Sequence, residues 1–173
     1  MSTTKPHHDA ESDSQLVQEQ ADQKTTLFYP RGLNIVWGSD PRYWRLPSDQ
    51  DKTGPVDLVQ VSWLEVTGSR EMKPSTTYEI GFKISLTQEA FGWNGSKVYV
   101  MAKLGRRGKY SWKRASLDAF SSGTQKEIPQ DSDKLKITTT SNEATIYFGM
   151  YEVWSGKWKG GLRIHHAYIR EAN

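Results

Sequence analysis

Cysteine is absent from this chain of 173 residues. Its absence excludes a disulfide-stapled scaffold, a thiolate metal site and a cysteine nucleophile. No apolar run approaches the ~20 residues of a membrane-spanning helix. The first residues, MSTTKPHHDAESDSQLVQEQADQK, contain no apolar stretch of the kind found in signal peptides. We therefore expect a soluble, intracellular protein with no membrane span.

The sequence also lacks the common motifs of enzymes. It has no glycine-rich phosphate loop, no GxSxG and no HExxH. Histidine is scarce, and His165 and His166 are adjacent in a strand-like segment, where they point to opposite faces and cannot share one metal ion. A glycosidase needs two carboxylates across a cleft, and the sequence pairs none of the strand carboxylates Glu65, Glu79 and Glu152. We predict no catalysis, no cofactor and no metal.

The amino-terminal segment differs in composition from the rest of the chain. Residues 1–26 carry two lysines and five acidic residues, a net charge of −3, which leaves +6 for residues 27–173. The only aliphatic residues larger than alanine in this segment are Met1, Leu16 and Val17. So little apolar area cannot offset the entropy lost on ordering. We predict a disordered polar tail over 1–26, dispensable for folding, and one folded domain over 27–173.

The domain has a two-residue hydrophobic period almost throughout. In YEIGFKISL, residues 78–86, every second side chain is apolar, which is typical of a half-buried strand. Turn signals rich in glycine, proline and serine separate these runs, and only residues 111–120 could form a short helical turn. Similar runs occur at 33–37, 56–66, 97–104, 135–140, 145–153 and 162–169. Together they predict an all-β fold, an antiparallel jelly-roll-like β-sandwich.

Tryptophan placement is the most informative feature of the composition. The chain has seven tryptophans, and aromatic residues make up 12% of it. Trp37 and Trp63 stand at alternating strand positions, which favours the core. Four others lie in or beside turns: Trp44, Trp93, Trp154 and Trp158. Because exposed indoles are costly to hydrate, several near loops indicate a ligand surface. Sugar rings, which have flat apolar C–H faces, suit such a surface.

A basic stretch leaves a second function open. Residues 103–114, KLGRRGKYSWKR, carry six cations around a tyrosine and a tryptophan. Aromatic rings beside phosphate-binding cations hold single-stranded nucleic acids. A solvated hairpin turn has the same composition, so RNA binding remains an alternative to sugar binding. The stretch is too interrupted to predict nuclear import.

Five segments resemble the Nictaba-related plant lectins, also called the phloem protein 2 family. The Trp37-x6-Trp44 spacing, WLEVTG and the MYE…W-K-x-G pattern make the resemblance specific. The matching segments are LNIVWGSDPRYWRLP (33–47), VQVSWLEVTGS (59–69), TTYEIGFKISL (76–86), AFGWNG (90–95) and FGMYEVWSGKWKGGLRIHHAYIR (148–170). The resemblance implies a jelly-roll sandwich, a homodimer, and binding of N-acetylglucosamine oligomers, N-glycan cores and N-glycosylated proteins. It also implies a cytoplasmic location, in the phloem sap of sieve elements.

The resemblance assigns sugar binding to Trp37, Trp44 and Glu152. We expect Trp44 to be the stacking platform, because it follows the turn at Asp40 and Pro41. Trp37 would stack or support it from a strand, with partial burial, and Glu152 would accept hydrogen bonds from the sugar. Tyr43, Trp158 and Lys159 would extend the groove. The expected carbohydrate-binding residues are Trp37, Tyr43, Trp44, Glu152, Trp158 and Lys159.

Overall fold

The computed structural model describes residues 5–117 and 122–172. Within them the chain forms thirteen β-strands and four single-turn 3₁₀ helices, at Ser14–Leu16, Pro30–Gly32, Asp49–Asp51 and Asp131–Asp133. The strands are β1 (Val17–Glu19), β2 (Thr25–Phe28), β3 (Asn34–Ile35), β4 (Trp44–Arg45), β5 (Val56–Leu58), β6 (Leu64–Glu71), β7 (Thr77–Phe91), β8 (Lys97–Leu104), β9 (Ser111–Ser116), β10 (Lys126–Ile128), β11 (Leu135–Thr138), β12 (Thr145–Glu152) and β13 (Gly160–Glu171). No helix in these residues combines the length and hydropathy needed to span a bilayer.

The strands form two antiparallel sheets that pack face to face. One sheet has five strands in the order β3-β6-β12-β8-β9. The other has eight strands arranged around β13, which pairs with β7 along one edge and with β2 and β5 along the other. Strand β7 also pairs with β10 and β11, while β1 and β4 extend the sheet outward. The predicted all-β antiparallel sandwich is confirmed.

The core lies between the sheets, where the apolar positions of both meet. The alternating apolar side chains of 78–86 are all buried, as the two-residue period predicts. Phe148 of β12 contacts Phe28 of β2 and Phe82 of β7, with ring centroids 4.9 and 6.1 Å away. Aromatic rings from both sheets therefore fill the centre of the sandwich.

Residues 6–26 make contacts with the domain, whereas the sequence predicted a disordered tail over 1–26. Residues 1–4 of that prediction lie outside the described part of the chain. His8 pairs through its backbone with Ile35, β1 pairs with β2, and the Leu16 side chain is fully buried. Glu11 accepts two hydrogen bonds from Arg31. Sheet edges supply the backbone partners that the composition of the segment did not reveal.

Two strand predictions and one helical prediction also change in detail. The run at 33–37 shortens to β3, because Trp37 takes a left-handed backbone conformation with a φ of 65°. The run at 56–66 divides into β5 and β6. The weak helical prediction at 111–120 is wrong over Ser111–Ser116, which is β9, and residues 118–120 lie outside the described part of the chain.

Candidate functional site

Three aromatic side chains from two loops form a row on the surface of the sandwich. Trp37 follows β3, Tyr43 precedes β4, and Trp158 lies between β12 and β13. The ring centroids of Trp37 and Tyr43 are 5.7 Å apart, and those of Tyr43 and Trp158 are 6.3 Å apart. Trp37 is 38% exposed and Trp158 is 52% exposed. We call Trp37, Tyr43 and Trp158 the loop aromatic row.

The amino-terminal segment holds Trp37 in place. The backbone amide of Trp37 donates a hydrogen bond to Nδ1 of His7, at 2.9 Å. The two rings also meet edge to face, with centroids 5.1 Å apart. Gly38 closes the turn by donating to the carbonyl oxygen of Ile35. These contacts stabilise a positive φ that a tryptophan rarely adopts, so the indole is fixed rather than free to rotate away.

The turn before β4 positions Tyr43. Asp40 accepts hydrogen bonds from the backbone amide and the guanidinium of Arg42. The bonds from that guanidinium lower the pKa of Asp40. The Arg42 guanidinium also lies 5.1 Å from the centre of the Tyr43 ring, within the range of a cation–π contact. A charge-balanced polar pair therefore borders the loop aromatic row.

A buried ion pair closes the loop that carries Trp158. The Glu152 carboxylate ends β12 and contacts the ammonium group of Lys159, which is itself fully buried. Lys159 also donates to the backbone carbonyl oxygen of Ser62, at 2.7 Å. Glu152 accepts from both the amide and the hydroxyl of Ser155. Burial alone would raise the pKa of Glu152, but hydrogen bonds from Lys159 and Ser155 outweigh it, and its pKa is lowered.

The structure divides the six expected site residues into two groups. Trp37, Tyr43 and Trp158 meet at the surface. Trp44, expected as the platform, is instead 1% exposed, because two-residue strand β4 pairs with β5 and directs the indole into the core. Glu152 and Lys159 are also buried and bond to each other. Lys159, expected to extend the groove, is therefore not available at the surface, and Glu152, expected to accept from the sugar, accepts from Lys159 and Ser155 instead.

Comparison with known proteins identifies the family. A family model described as Phloem protein 2 matches residues 23–171. The chain belongs to the phloem protein 2 family. Protein PHLOEM PROTEIN 2-LIKE A9 of Arabidopsis thaliana is 41% identical over 177 residues, which cover 95% of this chain and 96% of that protein. A lectin of Luffa acutangula is 34% identical over 79 residues, 42% of this chain and 38% of that protein.

Solved structures show only a distant likeness to this phloem protein 2 chain. TmCBM61 in complex with β-1,4-galactotriose superposes with a TM-score of 0.38 and 13% identity, over 80% of this chain and 87% of that one. A likeness at this level carries no argument about function.

Sequence reasoning missed two features around the site of this phloem protein 2 chain. His7 was assigned to the tail, and nothing local marks it as a neighbour of Trp37. Trp63 was assigned to the core, yet it is 46% exposed and its Nε1 donates to Glu65. A signal was present for Trp63, because its neighbour Leu64 is fully buried and adjacent strand residues face opposite sides.

The basic stretch 103–114 forms the hairpin of β8 and β9. The Lys103 ammonium lies 4.8 Å from the centre of the Tyr110 ring and donates to the carbonyl oxygen of Arg106. Lys113 pairs with Asp133 at 2.8 Å. Part of the positive charge of the stretch is therefore already paired within the fold. Among the described residues, no group of three or more histidine and carboxylate side chains is placed so that it could hold a metal ion.

Proposed function

We propose that this chain is a non-catalytic lectin that binds N-acetylglucosamine oligomers at the loop aromatic row. The exposure of Trp37 and Trp158, and the contact of each with the half-buried Tyr43 between them, carry the proposal. Membership of the phloem protein 2 family and similarity to a protein named lectin support it. Apolar faces of pyranose rings stack on such side chains. The neighbouring Asp40 and Arg42 offer an acceptor and donors for hydroxyl and acetamido groups, with no net charge.

Absence of catalysis is part of the proposal. Of the three strand carboxylates, Glu152 is paired with Lys159, and Glu79 with Arg170. A glycosidase needs one carboxyl group to protonate the leaving group and a second to attack or activate water. A carboxylate held in an ion pair stays ionised, so it is poorly suited to protonating a leaving group. Chitotriose incubated with the protein should therefore be recovered intact, and cleavage would refute this part.

The binding experiment is a titration of chitotriose followed by tryptophan fluorescence. Trp37→Ala and Trp158→Ala should each weaken binding at the row by roughly tenfold to a hundredfold, by analogy with the loss of one stacking aromatic. Trp158→Ala should change the melting temperature little, because the indole is 52% exposed, whereas Trp37→Ala should lower it modestly, because that indole also packs against His7 and Tyr43. Tyr110→Ala removes a comparably exposed aromatic ring, 44% exposed, between β8 and β9 and outside the row, and is the matched control. Normal chitotriose affinity in both row variants would refute the proposal.

RNA binding by residues 103–114 is the competing outcome of the same assay. Binding dominated by phosphate contacts weakens steeply as salt rises, whereas binding of a neutral sugar does not. We propose N-glycosylated proteins as partners, a homodimer that presents two sites, and a place in the cytoplasm and phloem sap. A homodimer would allow the protein to cross-link glycans.

A further inference from the structure

A cleft lies at the start of β8, beside the loop that follows β12. It encloses about 330 Å³. Its walls come from the turn before β8, from Tyr99 on β8, and from the residues that close the loop. The lining residues are Gly95, Ser96, Lys97, Tyr99, Glu152, Trp154 and Ser155. None of the loop aromatic row is among them, so the cleft is a separate feature.

An exposed group of rings extends this cleft across the outer face of the five-stranded sheet. Trp154 is 60% exposed, and its ring centroid lies 4.7 Å from that of Tyr99. Tyr99 in turn lies 5.3 Å from Trp112 of β9, which is 51% exposed. We call Tyr99, Trp112 and Trp154 the sheet-face cluster. Side chains this large and this exposed, joined in one patch, are unusual on a surface without a binding role.

Ser96 gives the cleft a polar group that lacks a partner. The residue is 4% exposed, and its Oγ makes no hydrogen bond to any residue that the structure describes. A buried hydroxyl without a partner is costly, and such groups in native structures call for an explanation. The atom itself is covered, so the Ser96 side chain would have to turn about its Cα–Cβ bond to bring Oγ to a ligand hydroxyl in the cleft. Such a hydroxyl would satisfy it, since a hydroxyl both donates and accepts.

The chemistry of the lining selects among occupants. An apolar protein surface would cover the indoles but leave Ser96 Oγ without a partner. A nucleic acid needs several cations for its phosphates, but the lining contains a single lysine, Lys97, and Arg114, paired with Tyr99 across β8 and β9, adds one cation beside the cluster. A neutral saccharide offers both an apolar ring face for Trp154 and hydroxyl groups for Ser96.

We propose that the cleft and the sheet-face cluster form a second saccharide site on each chain. A neutral pyranose stacks on Trp154 and Tyr99, one of its hydroxyls bonds to Ser96, and further units of the chain extend toward Trp112. The site rests on the proposed lectin function and shares none of the three rings of the loop aromatic row, although Trp154 and Trp158 stand in the same loop between β12 and β13. A single chain would then hold two glycans, or two parts of one.

Calorimetric titration with chitotriose, together with an array of neutral glycans, tests the second site. The wild-type chain should bind with a stoichiometry of two. The double variant Trp37→Ala/Trp158→Ala removes binding at the row. This double variant, the silenced background, should still bind one neutral glycan per chain. Adding Trp154→Ala or Ser96→Ala should weaken the remaining binding at least tenfold. Ser69→Ala, which changes an exposed serine on β6 of the same sheet, should leave it unchanged.

The outcomes separate the two proposals. If the silenced background binds no neutral glycan, or if Trp154→Ala and Ser96→Ala have no effect in it, the second site is refuted while the row stands. If Trp154→Ala removes all binding and the row variants remove none, the second site stands and the row is refuted. Sedimentation of Trp112→Ala provides a further check. Conversion of a dimer to a monomer would show that this face is a subunit interface and would overturn the second site.

Discussion

Replacing Glu152 by glutamine tests the role assigned to the buried ion pair. The side chains of Glu152 and Lys159 are 3% and 0% exposed. Glu152→Gln keeps the shape of the side chain but leaves the Lys159 ammonium facing a neutral amide. Breaking a buried pair in this way costs about 3–5 kcal/mol. For a domain of this size that corresponds to a melting temperature lower by roughly 6–20 °C.

The same pair predicts a dependence of stability on pH. The folded protein holds the pKa of Glu152 below its ordinary value near 4.5. A carboxyl group with a lowered pKa binds protons more weakly in the folded state than in the unfolded state. Its contribution to stability is therefore complete above about pH 4.5 and is lost as the pH falls through the folded value. Glu152→Gln should remove this part of the acid sensitivity.

Urea unfolding at neutral and acidic pH, with calorimetry, measures both effects. The control is the double variant Glu152→Gln with Lys159→Met, which removes the unpaired cation and should recover much of the lost stability. Glycan affinity should fall with stability, because the pair closes the loop that carries Trp158. A Glu152→Gln protein that unfolds like the wild type but fails to bind sugar would refute the reasoning. It would favour the direct contact with sugar expected from the sequence.

Other variants test the remaining assignments. Trp44→Ala should lower the free energy of unfolding by about 3–5 kcal/mol, whereas Trp44→Phe should fold and bind chitotriose normally; loss of binding in a stable Trp44→Phe protein would restore the platform expected from the sequence. Deleting residues 1–24 should lower the melting temperature, because it removes Leu16 from the core, and an unchanged value would favour the tail. Sedimentation at micromolar concentration should show a dimer, and a monomer would contradict that proposal.

Hydrophobic alternation was sufficient to predict the central strands. Over residues 78–86 of β7 and along β12, every second side chain is buried, so the pattern and the structure agree there. The same alternation placed Glu152 on the face of Phe148 and Met150, and all three are buried. The partner of Glu152 could not be predicted, because Lys159 reaches it only when a loop folds back between β12 and β13.

The tryptophan assignments fell short for a related reason. Trp37 was expected to be partly buried and Trp44 exposed, whereas Trp44 is the buried one. The exposure of Trp37 depends on a left-handed turn stabilised by His7, thirty residues earlier. The burial of Trp44 depends on a two-residue pairing with β5. Neither contact leaves a periodic signal in the sequence around the tryptophan it affects.

The central position of β13 has a consequence for how the chain folds. Its partners β2, β5 and β7 precede it by tens to more than a hundred residues. Forming contacts between residues so distant in sequence requires the closure of large loops. The entropy of closure is lost before the contacts contribute stability, which slows folding. Until β13 docks, the edges of β2, β5 and β7 that it covers lack backbone partners and are open to pairing with other chains. Aggregation during refolding should therefore compete with the docking of this one strand, and hydrogen exchange should show its amides gaining protection together with those of β7.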